Sequence, residues 1–91
     1  MIETQIILVR YWASARSAAG VDSDSVEVEG PVSLTALLAI LSRRHPEGRL
    51  LPALGACSVL LGDRPVSSED PDDVLVPPGS TVEFLPPFAG G

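Results

Sequence analysis

Asp24-Ser25-Val26-Glu27-Val28-Glu29-Gly30-Pro31-Val32-Ser33-Leu34-Thr35-Ala36-Leu37-Leu38-Ala39-Ile40-Leu41-Ser42-Arg43-Arg44 is the stretch that decides the fold. Its first part alternates strictly. Val26 and Val28 take one face, Ser25, Glu27 and Glu29 the other, which predicts a half-exposed strand. Gly30-Pro31 ends that pattern. Ser33 is a candidate N-cap. Leu34, Leu37, Leu38 and Leu41 then fall at i, i+3, i+4 and i+7, the apolar stripe of an amphipathic helix. Arg43 and Arg44 in the last turn complement the helix dipole. Pro46 cannot continue the helix and disfavours α geometry at His45, so the spacing predicts a helix over Leu34–Arg44.

Upstream, Gln5–Trp12 is β-branched and aromatic and reads as a central strand, with Ile7, Val9 and Tyr11 toward the core. It pairs with Asp24–Glu29 as a hairpin. Ala13–Ser23 between them is small and polar, a loop with room for one helical turn before Gly20. Downstream, Glu47–Gly55 reads as irregular and broken by Pro52. Cys57–Leu61 is a short apolar strand, Gly62-Asp63 a turn, and Pro65-Val66 a short return strand. Ser67–Pro78 reads as loop with an acidic patch at Glu69, Asp70, Asp72 and Asp73. Pro77-Pro78-Gly79 turns into the last strand, Thr81–Leu85, which is expected beside the first and parallel to it. The result is a two-layer α+β domain, a mixed sheet of four to five strands with one main helix on one face.

The chain has 91 residues, enough for one modest core. Its hydrophobic content of 45 % is that of a globular chain. The net charge of -6 argues against nucleic acid and anionic membrane, which need a basic face. All six basic residues are Arg, so no internal lysine amine could capture an activated carboxyl group. The single Cys57 permits neither an intrachain disulfide nor a thiolate metal cluster and suits a reducing cytoplasm. The opening residues show no basic-then-apolar pattern. Cys57 reads as a small buried residue, and His45 as a helix-end residue rather than a ligand.

The last six residues are Pro86-Pro87-Phe88-Ala89-Gly90-Gly91. With 8 glycines in 91 residues, a chance Gly-Gly end has a probability of about 1 %. A chain interrupted inside a glycine-rich linker would end the same way. A rigid Pro-Pro step leading to two glycines looks like a presented arm ending in a carboxylate. Such a carboxylate is inert until activated as an acyl-adenylate or thioester. An enzyme reaching its carbonyl through a narrow slot finds clearance only at glycine. The chain divides accordingly into a domain over 1–85 and a tail over 86–91.

Val9-Arg10-Tyr11-Trp12-Ala13-Ser14-Ala15-Arg16 with Gly20, Ser33–Leu38, Val59–Asp63 and above all Val82–Gly91 resemble the MoaD/ThiS family of β-grasp, ubiquitin-like sulfur carriers. The resemblance covers nearly the whole chain. The hydrophobic-Pro-Pro-hydrophobic-small-Gly-Gly ending is similar to the branch that serves molybdopterin synthase as its small subunit. Gly79-Ser80 departs from the Gly-Asp usual in the family before the last strand.

The resemblance implies that an ATP-dependent, MoeB-like adenylating enzyme forms an acyl-adenylate on Gly91, and that a sulfur donor converts it to a thiocarboxylate. The tail Pro86, Pro87, Phe88, Ala89, Gly90 and Gly91 would then enter a MoaE-like large subunit and give up sulfur to a pyranopterin precursor in molybdenum cofactor biosynthesis. ATP would be used by the activating enzyme, with no cofactor bound here and no metal. The chain would be a tethered substrate rather than a catalyst, for it holds one His, one Cys and no Lys. Trp12, Pro65 and Leu85 would form an apolar docking patch beside the tail. Trp12 is equally readable as core and Pro65 as turn chemistry. Arg16 could meet a partner's carboxylate or remain a solvated loop residue. The acidic run is a solvated loop that could also steer a basic partner.

Three other readings stay open. The same chemistry could serve thiamine, cysteine or tRNA thiolation. Gly91 could end in an isopeptide bond, making the chain a protein modifier. The domain could also bind partners non-covalently, with its glycines incidental.

Overall fold

The computed structural model describes residues 5–87. Among these residues seven strands and three helices follow in the order β1 (Gln5–Tyr11), α1 (Ala13–Ala19), β2 (Ser23–Val28), β3 (Val32–Ser33), α2 (Leu34–Arg44), α3 (Leu50–Gly55), β4 (Ser58–Leu61), β5 (Arg64–Pro65), β6 (Leu75–Val76) and β7 (Thr81–Leu85). The main sheet has the strand order β2-β1-β7-β4-β5, and β3 pairs separately with β6. β1 and β2 form the expected antiparallel hairpin, with Ile7 opposite Val26. β7 lies parallel to β1, with Arg10 beside Glu83 and Tyr11 beside Phe84. β4 closes antiparallel on the other side of β7.

One face of this sheet is covered. Ile7, Val9 and Tyr11 of β1, Val26 and Val28 of β2, and Val82 and Phe84 of β7 are buried against Leu34, Leu37 and Leu41 of α2. α2 has the predicted ends. The Ser33 hydroxyl accepts the Ala36 N–H at 3.0 Å, and His45 closes the helix through its own N–H to the Leu41 carbonyl. The loop before β6 also serves this helix start, since Leu34 and Thr35 donate their N–H groups to the carbonyls of Val74 and Pro71.

Three expectations are corrected. Ala13–Ser23 is not mainly loop: Ala13–Ala19 forms α1. Its serines suggested a loop, but four alanines favour helix. Gly20 at φ 77° ends it in the left-handed conformation that glycine adopts without strain. Glu47–Gly55 is likewise not irregular, for Leu50–Gly55 forms α3. Pro52 sits in the first turn, where a backbone N–H has no intrahelical acceptor to lose. Ser67–Pro78 contains β6, a two-residue strand too short to show any periodicity. Smaller shifts put β4 at Ser58–Leu61 and the return strand at Arg64–Pro65.

A polar network fastens α2 to the hairpin. The Tyr11 hydroxyl donates to Asp24 Oδ2 at 2.7 Å, and His45 Nε2 lies 2.7 Å from the same oxygen. Arg44 Nη1 donates to the Ser25 carbonyl at 2.7 Å and stands 3.9 Å from Asp24 Oδ1. The Tyr11 ring meets His45 edge-on and stacks on Phe84. His45 is therefore a helix-end residue, as expected, and is buried with a polar partner. Burial, then the bond to Asp24, pushes the Tyr11 phenol well above its ordinary range, and the Arg44 charge offsets part of that.

Candidate docking face and tail root

Among the described residues, no helix covers the second face of the sheet. Strand alternation places Leu8, Arg10, Thr81, Glu83, Leu85, Leu60 and Pro65 there, because their neighbours Val9, Tyr11, Val82, Phe84, Val59 and Leu61 belong to or pack against the core. Registers fix the rows. Arg10 lies beside Glu83, Glu83 beside Leu60, and Leu60 beside Pro65. Leu85 lies beside Ser58 at the end of β7.

Trp12 follows β1 directly. It is 40 % exposed, which resolves the sequence ambiguity in favour of the surface. Its backbone N–H reaches the Phe84 carbonyl at 3.2 Å, so it extends the β1–β7 pairing up to Leu85. The indole Nε1–H donates to Glu83 Oε1 at 3.1 Å. The Arg10 guanidinium stands 4.8 Å over the Trp12 ring, and its Nη1 is 3.8 Å from Glu83 Oε1.

Of the candidates from the sequence, Trp12, Leu85 and Pro65 thus lie at or on one sheet face, with Leu85 half-buried and Pro65 exposed. Arg16 sits one turn along α1 from Trp12, and its side chain pairs with Asp22 at 3.6 Å. Pro86 is half-buried and Pro87 exposed. Phe88, Ala89, Gly90 and Gly91 lie outside the described residues. Sequence reasoning missed Arg10, Glu83 and Leu60. Adjacency of the first and last strands was expected, but only their register sets Glu83 beside Arg10.

Cys57 is apart from this face. Its thiol donates to the Ala53 carbonyl at 3.3 Å, and burial pushes its pKa up, which keeps it protonated and a poor nucleophile. It borders an apolar hollow of about 190 Å³ between α2, α3 and β4, lined by Leu38, Leu51, Leu54 and Val66 among others. The acidic run is largely committed to local bonds. Asp72 accepts from the Thr35 hydroxyl, Asp70 accepts the Asp72 N–H, and Glu69 pairs with Arg64 at 2.7 Å. Among the described residues no group of three or more His, Cys, Asp or Glu side chains is placed to hold a metal ion, and no helix is long and apolar enough to cross a membrane.

The sequence profile of the ThiS family matches residues 9–91, from the middle of β1 through Gly90-Gly91. The chain belongs to the ThiS family. A relative named molybdopterin synthase sulfur carrier subunit, from Aspergillus niger, is 31 % identical over 83 residues, 91 % of either chain. Among solved structures, the complex of subunits 1 and 2 of molybdopterin-converting factor from Helicobacter pylori contains a chain similar to this one. That chain is matched with a TM-score of 0.65 and 23 % identity over 94 % of this chain and 99 % of its own length. The small archaeal modifier protein 1 of Methanosarcina acetivorans matches with a TM-score of 0.71 and 18 % identity over 98 % of this chain and 99 % of its own. At such identities the two structures speak to the fold alone, which is the ubiquitin-like β-grasp. The helix-covered face builds this ThiS-family body, and the open face flanks the root of its tail.

Proposed function

We propose that this ThiS-family chain is the sulfur carrier subunit of a molybdopterin synthase. The observation that carries the reading is the family match extending through Gly90-Gly91, supported by the Aspergillus niger relative of that name. In this reading residues 1–85 are the docking body and 86–91 the transfer tail. An adenylating enzyme joins the Gly91 carboxylate to AMP, with pyrophosphate leaving ATP. A sulfide equivalent then attacks the acyl carbon, forming a C–S bond as the C–O bond to AMP breaks. The product is a thiocarboxylate, a soft nucleophile whose sulfur a later acceptor can take.

The large subunit is the proposed acceptor partner, supported by the complex of two subunits from Helicobacter pylori. Trp12, Leu85 and Pro65 would dock on it, with Arg16 at the margin. Fully extended, six tail residues reach about 20 Å, enough to thread a partner's pocket while the body stays outside. The two prolines reduce the conformational entropy lost on insertion.

The test is the intact mass of the protein after incubation with an adenylating enzyme, ATP and a sulfur source. The expected result is a gain equal to one oxygen replaced by sulfur, localised to Gly91 and absent when Gly91 is deleted. No gain with several adenylating enzymes of this type would overturn the carrier reading. A stable adduct to lysines of other proteins would instead favour a modifier, the role named for the structural relative from Methanosarcina acetivorans.

A further inference from the structure

Glu83 sits near the middle of the open sheet face, between the Arg10 and Leu60 rows. Only 23 % of its side chain is exposed. Its Oε1 accepts the Trp12 indole N–H at 3.1 Å and lies 3.8 Å from Arg10 Nη1. Arg10 in turn stands over the indole ring. These bonds link groups on the side away from the core, where ion pairs and polar contacts add little to folding stability. Their effect falls on the indole. Its backbone N–H, its ring N–H and its ring face each have a partner, so one side-chain position is fixed while 40 % of the residue stays exposed.

We propose that Glu83, backed by Arg10, is a positioning residue that holds Trp12 as a preset anchor for the large subunit of molybdopterin synthase. This rests on the docking proposed above. A tryptophan ordered before association does not have to be ordered during it, and large aromatic side chains of this kind dominate interface energetics. The placement also bears on the root of the tail. Trp12 pairs with the carbonyl of Phe84, one residue before Leu85 and two before the tail begins. The anchor residue and the strand that leads to the tail are thus joined by a direct backbone hydrogen bond.

The chain has a single tryptophan, so its indole N–H gives one proton resonance that reports on this contact alone. The experiment compares wild type with Glu83→Leu and Glu83→Gln. Indole N–H exchange is measured in the free protein, and affinity for the large subunit by calorimetry, with Leu85→Asp as a control for the face. Glu83→Gln keeps a carbonyl acceptor and loses only charge. Glu83→Leu removes both. In Glu83→Leu the indole exchange is expected to speed up and the affinity to fall about tenfold, while Glu83→Gln stays within about threefold of wild type on both readouts. Unchanged indole exchange in Glu83→Leu would overturn the clamp. Faster exchange with unchanged affinity would overturn its role in docking, provided Leu85→Asp still abolishes binding. Wild-type protein that does not bind the large subunit at all would bring down the proposed function, and the role of the anchor with it.

Discussion

Three consecutive residues of β1 and its exit, Arg10, Tyr11 and Trp12, build two polar clusters on opposite faces of one sheet. Tyr11 points under the helices and joins Asp24 and His45, which are drawn from the hairpin and the end of α2. Arg10 and Trp12 point away from the helices and join Glu83 of β7. The inner cluster ties the hairpin to the end of α2, and its Tyr11 and His45 bonds are partly buried, so they matter for folding. The outer cluster ties together groups whose backbones are already paired. It changes little about the fold and much about what the surface presents. The same hydrogen-bond chemistry thus has opposite consequences, decided by whether helices cover it.

The sharpest way to break this comparison uses the adjacent pair Phe84 and Leu85, which share a strand but not a face. Phe84 is 1 % exposed and stacks on Tyr11. Phe84→Ala is expected to cost about 3–5 kcal/mol of stability, measurable by urea unfolding. Leu85→Ala on the open face is expected to cost under about 1 kcal/mol, because its side chain loses contact only with a half-covered surface. Equal losses at the two positions would mean that the open face is part of the core, and the contrast would fail.

A smaller effect tests the inner cluster through pH. The Tyr11 phenol is raised above its ordinary value of 10.0 by burial first, then by the Asp24 bond and charge, with Arg44 opposing. The folded protein therefore holds this proton more tightly than the unfolded chain. That stability is complete below about pH 10 and is lost as pH rises from there toward the folded value. The slope approaches about 1.4 kcal/mol per pH unit for one proton. The chain has one tyrosine and no lysine, so few other groups titrate nearby. Cys57, also raised by burial, adds a loss of the same sign from about pH 9 upward. Tyr11→Phe is expected to cost about 1 kcal/mol at pH 7 and to flatten the alkaline decline in melting temperature above pH 10. An undiminished decline in that variant would show that Tyr11 is not its source.

These contrasts also mark what the sequence could and could not reveal. The hairpin, the bounds of α2, the parallel placement of β7 and the inward set Ile7, Val9 and Tyr11 were legible. Each rests on a local period or on punctuation such as Ser33 and Pro46. α1 was hidden because alternating serine and alanine carry no apolar stripe, and α3 because Pro52 looks like a breaker until its place in the first turn is known. β3 and β6 are pairs of residues that only long-range contact defines. The partners within each cluster were invisible for the same reason. Asp24 and His45 lie 21 residues apart, and Trp12 and Glu83 lie 71 apart. Register had to be known before either pairing could be read. The expected role of Phe88, Ala89, Gly90 and Gly91 rests on chemistry alone, for these positions lie outside the described residues.

The smallest expected effect is the most discriminating. If the outer cluster shapes the surface and not the fold, Glu83→Leu should leave thermal stability nearly unchanged, within about 0.5 kcal/mol. The loss of a partly exposed ion pair with Arg10 and of one indole hydrogen bond is offset by removing a charge from among Leu60 and its apolar neighbours. By contrast, Asp24→Leu on the covered face leaves Tyr11 and His45 without their shared acceptor and should cost about 2–3 kcal/mol, because both stranded groups stay buried. Thermal melts of the two variants side by side decide the matter. A large loss from Glu83→Leu would show that the open face is bound up with folding, and the position of Trp12 would then be a by-product of stability rather than a prepared surface.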